Sequence, residues 1–385
     1  ENMRGGVSRI RFALMLYIIL VFLQVGFSRV NSQFQSGFEI VERTNEVEVA
    51  YFEMGIEKFR VVINKNGGLS QVLISQVPYT SVAGCYVWNS WEQTWNSYRR
   101  APPIIENKGD YVEARFYGKY TNAEIYIDTN YTISKTGLIL ISNAIEARAD
   151  LPDIRNTLWM IYFPVDIFQD EKAYVKLEKR MVEISLPRET ASGDFVATND
   201  ILYWVDFSKG TEGITFINMA PGSDIWYSAG VRDERQWGYH NVYGVRITHK
   251  PEGQGSMSIG DKRFSKVALY IHSGGYQSNE EFLNLVSGLA SAQVECEKAL
   301  KKYRQDTEAW ILASQAMEIV NSGLNKLIIG DEEGAKTALE NANSIIQKMK
   351  TAGGEAMPNL IIITLTTVVI VIIGLIFLRK RIRKK

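Results

Sequence analysis

Short runs of alternating apolar and polar residues dominate the chain between residues 38 and 275. The runs are rich in Val, Ile, Tyr, Phe and Thr, and Gly, Asn and Asp separate them. Such residues suit the half-buried surface of a sheet, and the separators suit turns. About a dozen runs of this kind are present, with hardly a helical period among them, so the pattern predicts strands throughout.

Three stretches carry the pattern of a β-hairpin, in which a turn joins two alternating runs. They are residues 59–74 with Asn66-Gly67, residues 123–147 with Thr136-Gly137, and residues 203–219 with Gly210 and Gly213. Hairpins join antiparallel strands, whereas a parallel sheet needs helical crossovers. The sequence therefore predicts that residues 34–276 form a mainly β domain, a large antiparallel β-sandwich, and makes a parallel nucleotide-binding fold unlikely.

From about residue 277 the apolar spacing changes to that of helices, and it stays so to residue 354. Ser278 and Glu281 have the spacing of a capping box at the start of a first helix. Asp306 is the expected N-cap of a second helix, which Gly330 ends, and a third is expected over residues 332–350. The segment 277–354 is thus predicted to be a small bundle or an elongated stalk.

Two apolar runs lie near the ends of the chain. Residues 360–378 carry no charge, and the six cations that follow favour a transmembrane helix with a cytoplasmic tail over residues 355–385. Residues 12–27 follow three arginines, so residues 1–33 are predicted to be a signal peptide or a retained N-terminal anchor. Either alternative predicts that the region between the two runs lies outside a cell membrane.

Charge and cysteine content narrow the function. The 43 basic and 43 acidic residues balance, but cations cluster at both ends, so the middle is mildly acidic and nucleic acid is not an expected partner. The two cysteines, Cys85 and Cys296, could form one disulfide, although two buried thiols are the favoured alternative. Asn130 begins a sequon and is the predicted glycosylation site.

The segment from residue 88 to residue 100 is the most aromatic part of the chain. Aromatic faces can stack on sugar rings while Glu and Arg bond the hydroxyls, although large rings also fill sandwich cores. The predicted carbohydrate-binding residues of this segment are Trp88, Trp91, Glu92, Trp95 and Arg99.

A second cluster, residues 224–240, mixes carboxylates, aromatics and a histidine. Asp233, Glu234 and His240 are the candidate catalytic residues, because such groups can act as general acid and base. The alternative is a loop of mutually paired charges. The stacking candidates here are Trp226, Trp237 and Tyr239. We expect both segments to line one groove.

The sequence lacks the motifs of several common kinds of catalytic or metal site. The sequence contains no HExxH, no glycine-rich phosphate loop, no GxSxG elbow and no cysteine pair with metal spacing, so no cofactor or metal is predicted. A calcium site built from loop carboxylates stays open.

The order of features from residue 38 to 275, with its opening hairpin at residues 59–74, resembles the galactose-mutarotase-like supersandwich. That resemblance implies a carbohydrate-related fold. The family's pattern of two histidines and a late carboxylate does not map onto His240, His249 and His272. The overall layout also resembles archaeal membrane-anchored surface proteins.

The sequence thus favours a membrane-anchored surface protein whose β-sandwich binds or acts on carbohydrate. The alternative is a non-enzymatic structural or assembly subunit of a surface layer, filament or membrane complex. Its partners would then be other surface-layer or membrane proteins.

Overall fold

The structure is a computed structural model that describes residues 36–354, apart from residues 89–91, 94–96, 122, 153, 155, 224–227, 239 and 250–255. The described residues form two large antiparallel sheets and a C-terminal helical region. Within the described residues there are twenty strands, more than the dozen runs predicted, because several strands are short additions such as Val77–Pro78 and Glu92–Gln93.

The larger sheet has eleven strands. Its main path runs, in spatial order, through β1 (Gly37–Glu42), β2 (Glu46–Glu53), β3 (Ile56–Asn64), β4 (Leu69–Ile74), β6 (Ala83–Trp88), β12 (Asn156–Pro164), β19 (Val242–Thr248), β18 (Ser228–Asp233) and β15 (Asp194–Thr198). Two short strands, β5 (Val77–Pro78) and β7 (Glu92–Gln93), pair with β4 and β6.

The smaller sheet has nine strands. In spatial order they are β14 (Met181–Ser185), β13 (Lys172–Leu177), β16 (Leu202–Lys209), β17 (Glu212–Asn218), β20 (Lys262–Ser273), β11 (Leu138–Ala147), β10 (Ile125–Ser134), β9 (Tyr111–Tyr120) and β8 (Ser97–Asn107). A short helix, α1 (Val165–Phe168), follows β12.

The predicted hairpins are present because their glycines adopt conformations that other residues rarely do. Gly67 joins β3 to β4 with φ of 97°, and Gly137 joins β10 to β11 with φ of 88°. A Cβ on Gly67 would also lie 2.8 Å from the Thr129 hydroxyl of the other sheet. Gly67 therefore serves both the turn and the approach of the two sheets.

Aromatic and aliphatic side chains fill the space between the two sheets. Phe163 of the larger sheet stacks on Phe207 of the smaller one, with ring centroids 3.9 Å apart. Trp159 stacks on Phe216 in the same way, and its indole N–H donates to Asn143 on β11 at 2.9 Å. This interleaving of inner faces is the packing of a β-sandwich.

Three long helices make up the helical region: α2 (Tyr276–Lys302), α3 (Glu308–Ile329) and α4 (Glu332–Ala352). The first begins at Tyr276, so Ser278 lies inside the helix and the predicted capping box is wrong. Thr307, rather than the predicted Asp306, caps α3 by accepting a hydrogen bond from the Trp310 N–H. Asp331 caps α4 through the Gly334 N–H.

The chain divides into two compact units. The first runs to Leu283 and includes Ile328–Gly330, and the second comprises Asn284–Leu327 and continues from Asp331. Within the second unit the helices pack through small residues: Gly288 faces Leu339, and Gly323 lies between Leu289 and Ala338. These contacts are those of a bundle.

None of the helices in the described part of the chain has the length and apolar character that a bilayer crossing requires. The predicted crossing at 360–378 and the apolar run at 12–27 lie outside the described residues. Cys85 and Cys296 are buried thiols that are not joined in a disulfide, and burial raises the pKa of each to about 12. Asn130 lies on β10 with its side chain exposed.

Candidate functional site

Four neighbouring strands of the larger sheet, β12, β19, β18 and β15, bring polar groups to the outer face of the sheet. The register places Tyr162 opposite Gly244, Gly244 opposite Arg232, and Arg232 opposite Asp194. Val231, which precedes Arg232, belongs to the core between the sheets. Since side chains alternate along a strand, this row faces away from the core.

A second row lies two residues away on the same face. It contains Met160, Arg246 and Gly230. A Cβ on Gly230 would come within 2.9 Å of Arg246 Nε, and a Cβ on Gly244 would overlap the Glu234 carboxylate. The two glycines therefore leave room for charged side chains to lie flat across the sheet, a use of glycine that is common inside strands.

The charges of this surface are paired and largely shielded from water. Arg232 donates from Nε and Nη2 to the two carboxylate oxygens of Glu234, with 2.9 Å for the Nη2–Oε2 bond. Arg246 donates to Asp194 at 2.9 Å. Burial, followed by the neighbouring charge of Arg232, lowers the pKa of Arg246, although Asp194 and Glu234 oppose this shift.

Two aromatic side chains remain accessible at the rim. Trp237, in the 3₁₀ turn Glu234–Trp237, is 57% exposed, and the Arg232 guanidinium lies 5.8 Å from its ring centroid. The exposed His240 lies against Tyr162, with ring centroids 5.5 Å apart. Burial and the nearby Glu234 raise the pKa of Tyr162. We call the set Tyr162, Asp194, Arg232, Glu234, Trp237, His240 and Arg246 the outer-face cluster.

Asp233 does not belong to the outer-face cluster, because its side chain is fully buried on the opposite side of β18. Its carboxylate accepts hydrogen bonds from the Arg235 side chain, the Arg235 N–H and the Ala191 N–H. Burial alone would raise the pKa of Asp233, but these bonds outweigh it and the pKa is lowered. Arg235 in turn donates to the carbonyls of Pro187, Arg188 and Glu189. Asp233 thus holds the loop over residues 187–191 in place, through Arg235 and the Ala191 N–H.

The structure places Trp88 at the end of β6, opposite Asn156 on β12. Asn156 lies four residues before Met160, which shares a row with Arg246 of the outer-face cluster. Four residues of strand span about 13 Å. Arg99 is exposed on β8 of the other sheet. Glu92 lies in β7, at the Trp88 end.

Trp91, Trp95, Trp226 and Tyr239 lie outside the described residues. Of the predicted residues, the structure groups Glu234, Trp237 and His240. Tyr162, Asp194 and Arg246 were not among the predicted residues. The sequence signal for this surface is the presence of Gly230 and Gly244 inside strands β18 and β19.

The other two histidines are buried among hydrogen-bonding partners. His249 contacts the hydroxyls of Thr157 and Ser265, and burial lowers its pKa to about 3. His272 contacts Asp206 at 2.8 Å and the Gly274 carbonyl at 2.9 Å. Both side chains are buried. Within the described ranges, no group of three or more His, Cys, Asp or Glu side chains could hold a metal ion.

The sequence matches no protein-family model and no curated protein. Solved structures similar to this chain include galactose 1-epimerase from Lactobacillus acidophilus, at 8% identity and a TM-score of 0.37, covering 63% of this chain and 99% of that one. They also include a GalM/aldose epimerase homologue from C. elegans, at 9% identity and a TM-score of 0.31, covering 62% of this chain and 99% of that one.

A third similar structure is heparan sulfate lyase HepC from Pedobacter heparinus, at 9% identity and a TM-score of 0.34. The match covers 62% of this chain and 36% of the lyase, so this chain spans about a third of that protein. These likenesses are distant and concern the arrangement of strands alone.

Proposed function

We propose that the outer-face cluster binds carbohydrate. The observation that carries this proposal is the exposed Trp237 ring. It lies beside a surface of paired charges, where Gly230 and Gly244 leave room for the charged side chains. An aromatic face offers a stacking surface to the apolar side of a sugar ring. Guanidinium and carboxylate groups supply donors and acceptors for the hydroxyls.

The proposal is one of binding. Both oxygens of Glu234 accept hydrogen bonds from Arg232, which supports a role for Glu234 in shaping the surface over proton transfer. His240, the accessible titratable group at the rim, would contact a bound sugar from the Tyr162 side.

A glycan-array screen of the full chain tests this function, with Trp237→Ala as the disabling variant. The matched control is Phe264→Ala, which removes another exposed ring, 45% accessible, from β20 of the smaller sheet. We expect glycan binding by the wild type and the control, and its loss in Trp237→Ala. Absence of binding by the folded wild type, or equal binding by all three, would contradict the proposal.

A second proposal, an assembly role, is supported by a different surface. Met54 and Ile56, in and after the β2–β3 turn, are 69% and 66% exposed, and Val77, which begins the neighbouring strand β5, is 40% exposed. Exposed apolar groups gathered at one sheet end are typical of protein contacts. Copurification of partners by the wild type, and their loss in Ile56→Asp, would support this role; retention would count against it.

We also propose that residues 360–378 anchor the chain in a membrane, with residues 34–354 outside and the tail in the cytoplasm. The uncharged run and its flanking cations support this. Alkaline carbonate should leave the full chain in the membrane fraction and release a chain ended after Gly354. Release of both would contradict the anchor.

A further inference from the structure

We infer that the outer-face cluster is built for a sugar that carries an anionic group, a carboxylate or a sulfate ester, and that Arg246 binds this group with Arg232 beside it. The inference rests on the proposed carbohydrate function and names the class of ligand. It follows from the placement of the two guanidinium groups and from the partners that they have.

The register puts both arginines on one face and close together. Arg246 on β19 lies opposite Gly230, and Arg232 on β18 lies two residues beyond that glycine. Diagonal neighbours of this kind are roughly 7 Å apart in an antiparallel pair. Glycines occupy the positions opposite both arginines in the β18–β19 pair, so neither arginine has a side chain directly across from it in that pair.

The two arginines differ in how fully they are engaged. Arg232 gives two of its nitrogens to Glu234 in a paired contact. Among the described residues, Asp194 is the one hydrogen-bonding partner of Arg246. A guanidinium has five N–H donors, so Arg246 retains donors for a further acceptor.

The environment of Arg246 also favours an additional negative charge. Its side chain is 29% exposed, and it lies beside the like charge of Arg232. These effects lower its pKa despite the two nearby carboxylates, which means that its charged form is less stable there than in water. An anion close to Arg246 would relieve this cost through a charge-assisted hydrogen bond.

The same geometry orients the ligand. Trp237 lies beside Arg232, whose guanidinium carbon is 5.8 Å from the centre of the ring. A sugar ring stacked on Trp237 would therefore lie next to Arg232, and a substituent that extends over Arg232 would meet its neighbour Arg246. A neutral hydroxyl at that position would leave the guanidinium only partly compensated, whereas a carboxylate or sulfate would compensate it.

Isothermal titration calorimetry on the full chain tests this inference with three oligosaccharides: a hyaluronan hexasaccharide, its carboxyl-reduced neutral derivative, and a chondroitin sulfate hexasaccharide. We expect at least one anionic probe to bind about tenfold more tightly than the neutral one. Preference for hyaluronan over the neutral probe assigns the site to carboxylates. Preference confined to the chondroitin probe assigns it to sulfate esters.

Variants with opposite expected effects separate binding from folding. Arg246→Gln should remove the anionic preference and keep neutral binding. Asp194→Asn removes the carboxylate that competes with the ligand, so it should tighten anionic binding, a gain that misfolding cannot produce. Arg100→Gln is the matched control, because Arg100 is a half-buried arginine, 32% exposed, that pairs with Asp128 on the smaller sheet.

Equal binding of neutral and anionic probes by the wild type would overturn the inference and leave the carbohydrate function intact. Unchanged or weaker anionic binding in Asp194→Asn would also overturn it. If Trp237→Ala keeps all binding that the wild type shows, or if no probe binds, the proposed function fails together with the inference.

Discussion

Two ion pairs one residue apart on β18 and its following turn differ completely in their surroundings. Arg232 and Glu234 lie on the outer face, beside an exposed tryptophan. Asp233 and Arg235 point to the other side, where Asp233 is fully buried and Arg235 binds three carbonyls of the loop 187–189. The alternation of a strand has divided one charged run into a candidate binding surface and a structural clamp.

The difference teaches that residue type alone does not identify a functional group. Asp233 and Glu234 are adjacent carboxylates, each paired with an arginine two residues away in sequence. Their facing directions separate them, because only Glu234 shares a surface with accessible aromatics. Variants at these positions should therefore separate stability from binding.

The largest expected effect is that of Asp233→Ala. Removing this carboxylate leaves Arg235 without its buried partner and the Ala191 N–H without its acceptor. Breaking a buried ion pair costs about 3 kcal/mol or more. Urea denaturation of the full chain should show this loss in the unfolding transition of the β unit, with a smaller loss in Glu234→Gln. Equal losses in both would contradict the comparison.

Acid should weaken the same clamp, by less than deletion of the side chain. The pKa of Asp233 is lowered in the folded chain, so its stabilising contribution is complete above the unfolded pKa of about 4. It is lost as the pH falls through the lower folded value. Thermal unfolding between pH 7 and pH 2 should show a steeper acid loss in wild type than in Asp233→Asn. Parallel curves would mean that Asp233 contributes no pH dependence.

Gly244→Ala should have an intermediate effect on stability and a large one on binding. The added methyl group would overlap the Glu234 carboxylate and force it away from Arg232. Overpacking of this kind costs about 1–2 kcal/mol. In a Glu234→Ala background the same substitution should cost much less, and a double-mutant cycle from urea midpoints measures the difference. Additive effects would contradict the contact.

The smallest expected change in stability is that of Trp237→Ala. The ring is mostly exposed, and its substitution should alter the free energy of unfolding by less than about 0.5 kcal/mol. Circular dichroism during thermal unfolding checks this. A large loss of stability would show that the ring supports the fold. A loss of glycan binding in Trp237→Ala could then not be attributed to a missing contact with the sugar.

The sequence predicted the hairpins correctly where the signal came from neighbouring residues. Asn66-Gly67 and Thr136-Gly137 identified their hairpins because glycine turns and alternating strands are properties of neighbouring residues. The count of strands was too low, since short strands such as Val77–Pro78 are too brief to show an alternating pattern.

The same distinction between local and long-range signals applies to the candidate site. Glu234, Trp237 and His240, which are close in the chain, also lie on one surface in the structure. Tyr162 and Arg246 come from strands whose register no local pattern specifies, since pairing between β12 and β19 joins residues 78 to 90 positions apart. The prediction that one groove also holds Trp88 stays a prediction, because it depends on which parts of distant strands meet.

The strand β8, at one edge of the smaller sheet, carries Pro102 and Pro103 near its middle, and its register with β9 shifts between Ala101 and Ile104. A strand from another molecule can add to an edge only through a continuous row of backbone N–H donors. Proline has no such donor, and two in succession interrupt the row. This edge is therefore protected from pairing with other copies and from fibrous aggregation.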